Sequence, residues 1–265
     1  MKKRSFFTYF GGSITAFCLA VILIGSIWTP YDPEAFVADK FEAPSFSHIM
    51  GTDNFGRDIF SRVLDGASTS LLIALCVVAI GCIFGLIIGA LCGYYGGVAD
   101  LILTRVCDSI TAFPSFLLAL VIVSVIGKGT YNIIIALGIL FIPSFARIVR
   151  AEYASQKEQK YVQNAKLMGI SDMRIMLFHI LPNLKSSLIS ALVIGFNNAV
   201  LSESSMSFLG IGIQPPQASL GSMLSDSQTY LGSAPWYALC VGGTIALIIL
   251  GFSLLSEGLQ NDKVI

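Results

Sequence analysis

The residue types that could carry chemistry in this sequence are few and scattered. Only two histidines occur, His48 and His179. Neither stands among the carboxylates or thiols that a metal site or a general-base dyad requires. His179 reads as a packing or hydrogen-bonding residue. The six cysteines (Cys18, Cys76, Cys82, Cys92, Cys107 and Cys240) form no CxxC pair and lie in or beside apolar runs. They read as buried, inert thiols rather than disulfides or metal ligands. Gly127-Lys-Gly129 lacks the upstream glycine of a phosphate-binding loop, and no GxSxG or HExxH pattern occurs. The expectation is a non-enzyme with no catalytic residue, no metal site and no bound cofactor.

The remaining polar character is gathered in three segments. The first, 29–69, is acidic at its start and then reads Gly51-Thr-Asp-Asn-Phe-Gly-Arg-Asp-Ile-Phe-Ser-Arg62. Gly51 and Gly56 bracket a turn, and Asp53, Arg57, Asp58 and Arg62 are spaced for local ion pairs and helix capping. That pattern predicts a folded loop that caps one face of the molecule. The second, 149–185, predicts a helix from Glu152 to Met168 ended by Gly169. A second short helix follows, capped by Ser171 or Asp172 and stopping before Pro182. Its apolar residues Ile175, Met176, Phe178, Ile180 and Leu181 need a covering surface, either the chain's own membrane domain or a partner. The third runs from Ser202 to Pro216, with Glu203 at a membrane edge and a Gly-rich apolar turn after it. Two roles stand open for Glu203, snorkelling to water or lining a pathway.

The elements that position these segments follow from composition. Of 265 residues, 55% are hydrophobic and only 12% charged, with mean hydropathy +0.78 and net charge zero. A soluble domain carries about 25% charged residues. A disordered chain, a basic nucleic-acid binder and an ordinary cytosolic enzyme are excluded, leaving a polytopic membrane protein. Charge-free runs cover 5–31, 66–99, 109–127, 129–146, 186–202 and 227–256. Each accommodates one helix of about 20 residues. Six spans are predicted, near 10–28, 70–92, 105–126, 131–148, 186–203 and 235–255, in an all-α fold. Residues 1–69 form an N-terminal span with its outer loop, and 70–265 a five-helix core.

With the N-terminus inside, 12 of the 16 basic residues fall on inner segments: Lys2, Lys3, Arg4, Arg105, Arg147, Arg150, Lys157, Lys160, Lys166, Arg174, Lys185 and Lys263. This bias places both termini in the cytoplasm. Met1-Lys-Lys-Arg and the apolar run after it also resemble a signal peptide. No small-x-small cleavage site follows Trp28, so a retained first span is expected. The spans hold no paired carboxylates of the kind a proton relay uses. A solute mover without its own ATP site or relay must be driven by another subunit.

Gln163-Asn-Ala165, Gly169 and His179-Ile-Leu-Pro182 reproduce the spacing of the EAA loop of binding-protein-dependent ABC importers. Over nearly its whole length the chain resembles the dipeptide/oligopeptide/nickel permease family, specifically the C-type subunit. Gly51-Thr-Asp, Gly56-Arg-Asp, Ser61-Arg and Gly66-Ala match a first family block. Gly96-Gly97, Asp100, Arg105, Asp108 and Phe113-Pro114 match a second, and Glu203, Ser207-Phe208-Leu-Gly210-Ile-Gly212 and Gln214-Pro215-Pro216 a third. Departures are Gln163-Asn164 for Glu-Ala, Ser68 for Arg, Leu220 for Trp, and the shortened tail Ser256–Asn261.

The resemblance implies a type I ABC permease fold in a prokaryotic inner or plasma membrane. It implies a homologous second permease, two ATPases that bind the ATP, and an extracytoplasmic substrate-binding protein as partners. Residues Gln163, Asn164, Ala165, Gly169, Leu177, Phe178, His179, Leu181 and Pro182 would form the ATPase coupling loop. The receptor or gate side would be Gly51, Asp53, Gly56, Arg57, Asp58, Arg62, Glu203, Phe208, Gly210 and Pro215. Asp100, Arg105, Asp108 and Pro114 would be structural residues of the core, and Pro114 and Pro143 hinges or static kinks. Peptides are the expected substrates, with nickel or metal chelates the alternative. A stand-alone secondary transporter would be expected to carry intramembrane charges and an internal repeat, and neither is seen.

Overall fold

A computed structural model describes residues 6–264. Lys2, Lys3 and Arg4, used above for orientation, lie outside the described residues, as does the side chain of Lys263. The architecture is helical; among the described residues the only β-type pairing is the isolated bridge between Thr52 and Asp58. Among the described residues five helices are long and apolar enough to cross a membrane, or six if the bent pair Gly97–Thr111 and Ser115–Ile126 counts as one span.

The long helices are α1 (Phe6–Gly25), α2 (Ile59–Tyr95), α5 (Thr130–Lys157), α8 (Lys185–Phe208) and α10 (Pro235–Val264). The shorter ones are α3 (Gly97–Thr111), α4 (Ser115–Ile126), α6 (Lys160–Leu167), α7 (Asp172–Arg174) and α9 (Leu220–Gln228). A π-helical stretch, Ile175–Ile180, and a 3-10 turn, Leu181–Leu184, join α7 to α8.

Helix α2 is the spine of the fold. Gly81, Gly85, Gly89 and Gly93 recur every four residues and so share one face. A Cβ at Gly85 would stand 2.5 Å from the Phe145 Cβ, and one at Gly89 2.7 Å from the Val149 Cβ. At Gly81 and Gly93 it would meet the Cβ atoms of Phe141 and Tyr153 at 2.8 and 2.7 Å. The glycine stripe therefore seats α5 almost directly on the α2 backbone. Small residues serve this end in membranes because lipid offers no hydrophobic drive for helix association, and close van der Waals packing must supply it. Gly251 on α10 gives α1 a similar seat, where a Cβ would lie 2.9 Å from Ile14.

Three predicted boundaries are corrected. Helix α2 begins at Ile59, so the division drawn at 69/70 falls inside a continuous helix. Asp58 caps it, its carboxylate accepting from the Ser61 backbone N–H at 2.8 Å. The third span is two helices bent by 88° about Ala112–Pro114. Pro114 disfavours helical backbone at Phe113, and a new helix starts beyond it. Finally, the helix predicted over Glu152–Met168 is split. Helix α5 runs through the buried Pro143 to Lys157, and α6 begins at Lys160.

Candidate functional site

The segment from α6 to α8 is a knuckle with two unlike faces. Val162, Ala165, Ile175, Met176, Ile180 and Leu184 are buried against Ala90 and Tyr94 of α2 and Val149 and Tyr153 of α5. The opposite face carries Leu167, Met168, Met173, Leu177 and Phe178, all exposed, with Phe178 at 72%. The chain's own α2 and α5 thus cover one apolar face of the knuckle, and the other lies open. Ala165 belongs to the inner face and Leu181 is half-buried, whereas Gln163 and Asn164 are exposed. Leu167, Met168 and Met173 extend the outer apolar patch.

The turn itself is a Schellman motif. Gly169 donates to the Lys166 carbonyl at 3.0 Å and Ile170 to the Ala165 carbonyl at 3.2 Å. Gly169 sits at φ +74°, and a Cβ there would meet nothing within 4 Å. Its glycine is required by backbone conformation and not by space.

Beyond the turn, the helix does not stop before Pro182 as predicted. It widens, Leu181 donating to the Met176 carbonyl five residues back, and then tightens to 3-10 and continues into α8. A regular α-helix would drive the Pro182 ring into the Phe178 carbonyl, and the π stretch avoids that clash. Ser171 makes no side-chain cap. Asp172 instead accepts a hydrogen bond from the Tyr94 hydroxyl. His179 contacts the Arg174 carbonyl at 3.3 Å, as a hydrogen-bonding residue would.

Asp100, Arg105, Asp108 and Pro114 are not core residues. Helix α3 buries none of its side chains, and Arg105, Asp108 and Pro114 are exposed. Two of the four tie α3 to α5. Asp100 takes a two-pronged bond from Arg150, at 2.5 and 2.7 Å, and Asp108 lies 3.7 Å from Arg147. The first has the bidentate geometry of a strong pair; the second is exposed and contributes little. Arg147 and Arg150 had been read only as orientation signals.

At the opposite end of α2, residues 29–58 fold into a lobe built on carboxylates. Asp53 is fully buried and accepts from the backbone of Phe55 at 2.8 Å and Arg57 at 3.0 Å, and from Arg57 Nε at 2.7 Å. Arg62 Nε stands 3.6 Å from the same carboxylate, while its Nη1 donates to the Pro33 carbonyl at 3.0 Å. Asp58 accepts from the Ser61 hydroxyl and pairs with His48 Nδ1 at 2.9 Å. Gly56, at φ +79°, turns the chain where a Cβ would strike the Ala38 carbonyl; Gly51 lies against the Trp236 indole. The predicted ion-pair and capping arrangement is present, with His48 an addition to it.

Glu203 neither snorkels nor lines an open path. It is fully buried, with zero exposure, where α2, α8 and α9 meet. Its carboxylate accepts from the Ser207 hydroxyl at 2.7 Å, with Ser70 and Ser219 hydroxyls also in reach. The junction is tight, since a Cβ on Gly221 would lie 2.9 Å from the Ser204 carbonyl carbon. The hydroxyls supply the donors that a carboxyl so placed must have. Phe208 ends α8 half-buried, and Gly210 and Pro215 are exposed on the turn that follows.

A trough of about 350 Å³ runs between α4, α5 and α8. Ser115, Ser144, Asn198 and Ser202 supply its polar groups, among Phe116, Phe141 and Ile148, and it contains no charged residue. Helix faces bearing exposed amides and hydroxyls are poor lipid contacts. Among the described residues no group of three His, Cys, Asp or Glu could hold a metal ion.

Residues 85–261 match the family described as binding-protein-dependent transport system inner membrane component. The dipeptide transport system permease protein DppC of Alkalihalophilus pseudofirmus is 39% identical over 248 residues, 94% of this chain and 82% of the relative. The glutathione transport system permease protein GsiD of Escherichia coli is 42% identical over 246 residues, 92% of this chain and 81% of the relative. The inward-facing MetNI methionine ABC transporter superposes with TM-score 0.61 at 17% identity, over 78% of this chain and 97% of that one. That likeness concerns the fold alone.

Proposed function

This chain belongs to the family of binding-protein-dependent transport system inner membrane components, and we propose from that premise that it imports short peptides as one of two permeases in an ABC complex. The observation that carries the substrate class is the identity, across nearly the whole chain, to dipeptide and glutathione permeases. The trough suits such cargo. Its hydroxyls and amide can exchange hydrogen bonds with a peptide backbone, and its lack of charge favours no particular side chain.

The knuckle is the coupling element. Its exposed Leu167, Met168, Met173, Leu177 and Phe178 form the patch that a separate ATPase subunit buries. ATP binds at two such subunits, and this chain holds no cofactor. The excess of Lys and Arg at the knuckle end supports a cytoplasmic position for that end, and the bacterial relatives support a prokaryotic membrane. The lobe on α2 and the 209–219 turn then face an extracytoplasmic receptor, and the trough closes against the second permease.

Reconstitution of the complete complex in proteoliposomes tests this reading. ATP-dependent, receptor-dependent uptake of labelled dipeptides or glutathione is expected. Uptake by this chain alone without ATP, or of nickel chelates in place of peptides, would overturn it.

A further inference from the structure

A second cavity, of about 860 Å³, opens between the carboxylate-built lobe and the α8–α9 connection. It lies outside the trough and falls within the range of about 300–1,000 Å³ typical of small-ligand sites. Arg57 and Arg62 line it from the lobe and the start of α2 and Asp226 from α9, with Gln214, Gln217 and Thr229 also in its lining. The charges are within electrostatic reach of one another. Yet both arginines pair with Asp53, and among the described residues neither comes within 4 Å of the Asp226 carboxylate.

Arg62 is unusual among these residues. It is only 4% exposed, and its Nε has no hydrogen-bond partner, the Asp53 carboxylate being 3.6 Å away. The side-chain oxygen of Asn54, in the same lining, is likewise buried without a partner. Buried polar groups are normally satisfied, and a guanidinium more than most. Two guanidinium groups and a carboxylate thus line one cleft without pairing with each other.

We propose that this outer cleft binds the two charged ends of a short zwitterionic peptide, the carboxylate at Arg57 and Arg62 and the ammonium at Asp226. Gln214, Gln217 and Thr229 are placed to hydrogen-bond the amide between them. The inference rests on the peptide-import reading and adds to it a site on the permease that reads peptide termini independently of side chains. A dipeptide fills such a cleft with one charge toward the arginines and one toward Asp226; a blocked peptide leaves one of these unpaired in a partly desolvated site, which is costly.

The test is titration of dialanine into the complete permease–ATPase complex in nanodiscs, with the receptor left out. Dialanine should bind, and N-acetyl-dialanine and dialanine amide should each bind at least tenfold more weakly. Asp226→Asn should abolish the preference for dialanine over its N-acetyl form and keep the preference over the amide. The ligand series on the unaltered complex decides the matter even if the variant fails to assemble. Absence of binding without receptor, or equal binding of blocked and free peptides, overturns the cleft site. If receptor-driven peptide uptake persists in that case, only the cleft falls; if uptake itself is absent, the peptide-import reading falls with it.

Discussion

The Tyr94 hydroxyl at the end of α2 donates to the carboxylate of Asp172 at the start of the knuckle, 78 residues further along the chain. Tyr94 is itself almost wholly buried, in the small cluster that seats the knuckle on α2 and α5. This bond joins the start of the knuckle to α2, the longest helix described. Tyr94→Phe keeps the ring packing and removes the donor, at a cost of about 1.5–3 kcal/mol for a bond to a charged acceptor. ATP hydrolysis by the assembled complex should continue while peptide uptake per ATP falls; unchanged uptake per ATP would show that the bond transmits nothing.

Gly169 separates conformational from steric demand. Its φ of +74° strains any residue with a Cβ, and no neighbouring atom would be struck. Gly169→Val should cost about 1–3 kcal/mol in local strain, reopening the turn between α6 and α7. Membrane insertion should be normal and co-purification of the ATPase lost. Gly169→Asn, which tolerates left-handed backbone, should retain most of it. Equal behaviour of the two variants would count against the strain argument.

Phe178 projects from the knuckle at 72% exposure. Burying a phenylalanine contributes about 1.5–3 kcal/mol, so Phe178→Ala should weaken ATPase binding by roughly 10- to 100-fold. Ile180→Ala, inside the knuckle, should instead lower thermal stability. Microscale binding and a melting curve on each variant distinguish the two faces. If Phe178→Ala binds the ATPase normally, the docking patch lies elsewhere.

The glycine stripe makes a prediction about assembly. Gly85→Val would force its side chain into Phe145 and the Ala146 backbone, costing at least the 1–3 kcal/mol typical of overpacking. Gly243→Val on α10 has open space around its Cβ. The yield of monodisperse protein in detergent should collapse for the first variant and hold for the second.

The spans were legible because membrane burial excludes charge, and gaps between charges are read directly. The lobe was legible for a related reason, since Asp53, Arg57, Asp58 and Arg62 are close enough in sequence for their pairing to be local. What stayed hidden depends on contacts between distant segments. Nothing near Glu203 indicates that hydroxyls from α2 and the start of α9 will enclose it. Asp100 and Asp108 looked like core residues until Arg150 and Arg147 appeared opposite them. The 88° bend at Pro114 was foreseen as an interruption, whereas its angle depends on α3 lying along α5. The π stretch arises from fitting Pro182 into a helix that tertiary packing keeps continuous, a conflict no local rule resolves.

Helix α2 is capped by Asp58 in the lobe and reaches Tyr94 at the knuckle without a break over its 37 residues. At 1.5 Å per residue it is a lever roughly 55 Å long. A tilt of about 5° about one end of such a rod displaces the other by roughly 5 Å, more than the width of a backbone hydrogen bond. Because the glycine stripe seats the α5 side chains directly on the α2 backbone, α5 must travel with it. A push at the knuckle end thus arrives at the lobe end as a mechanical displacement of the same rigid bar, with no relay of intermediate contacts to set its timing.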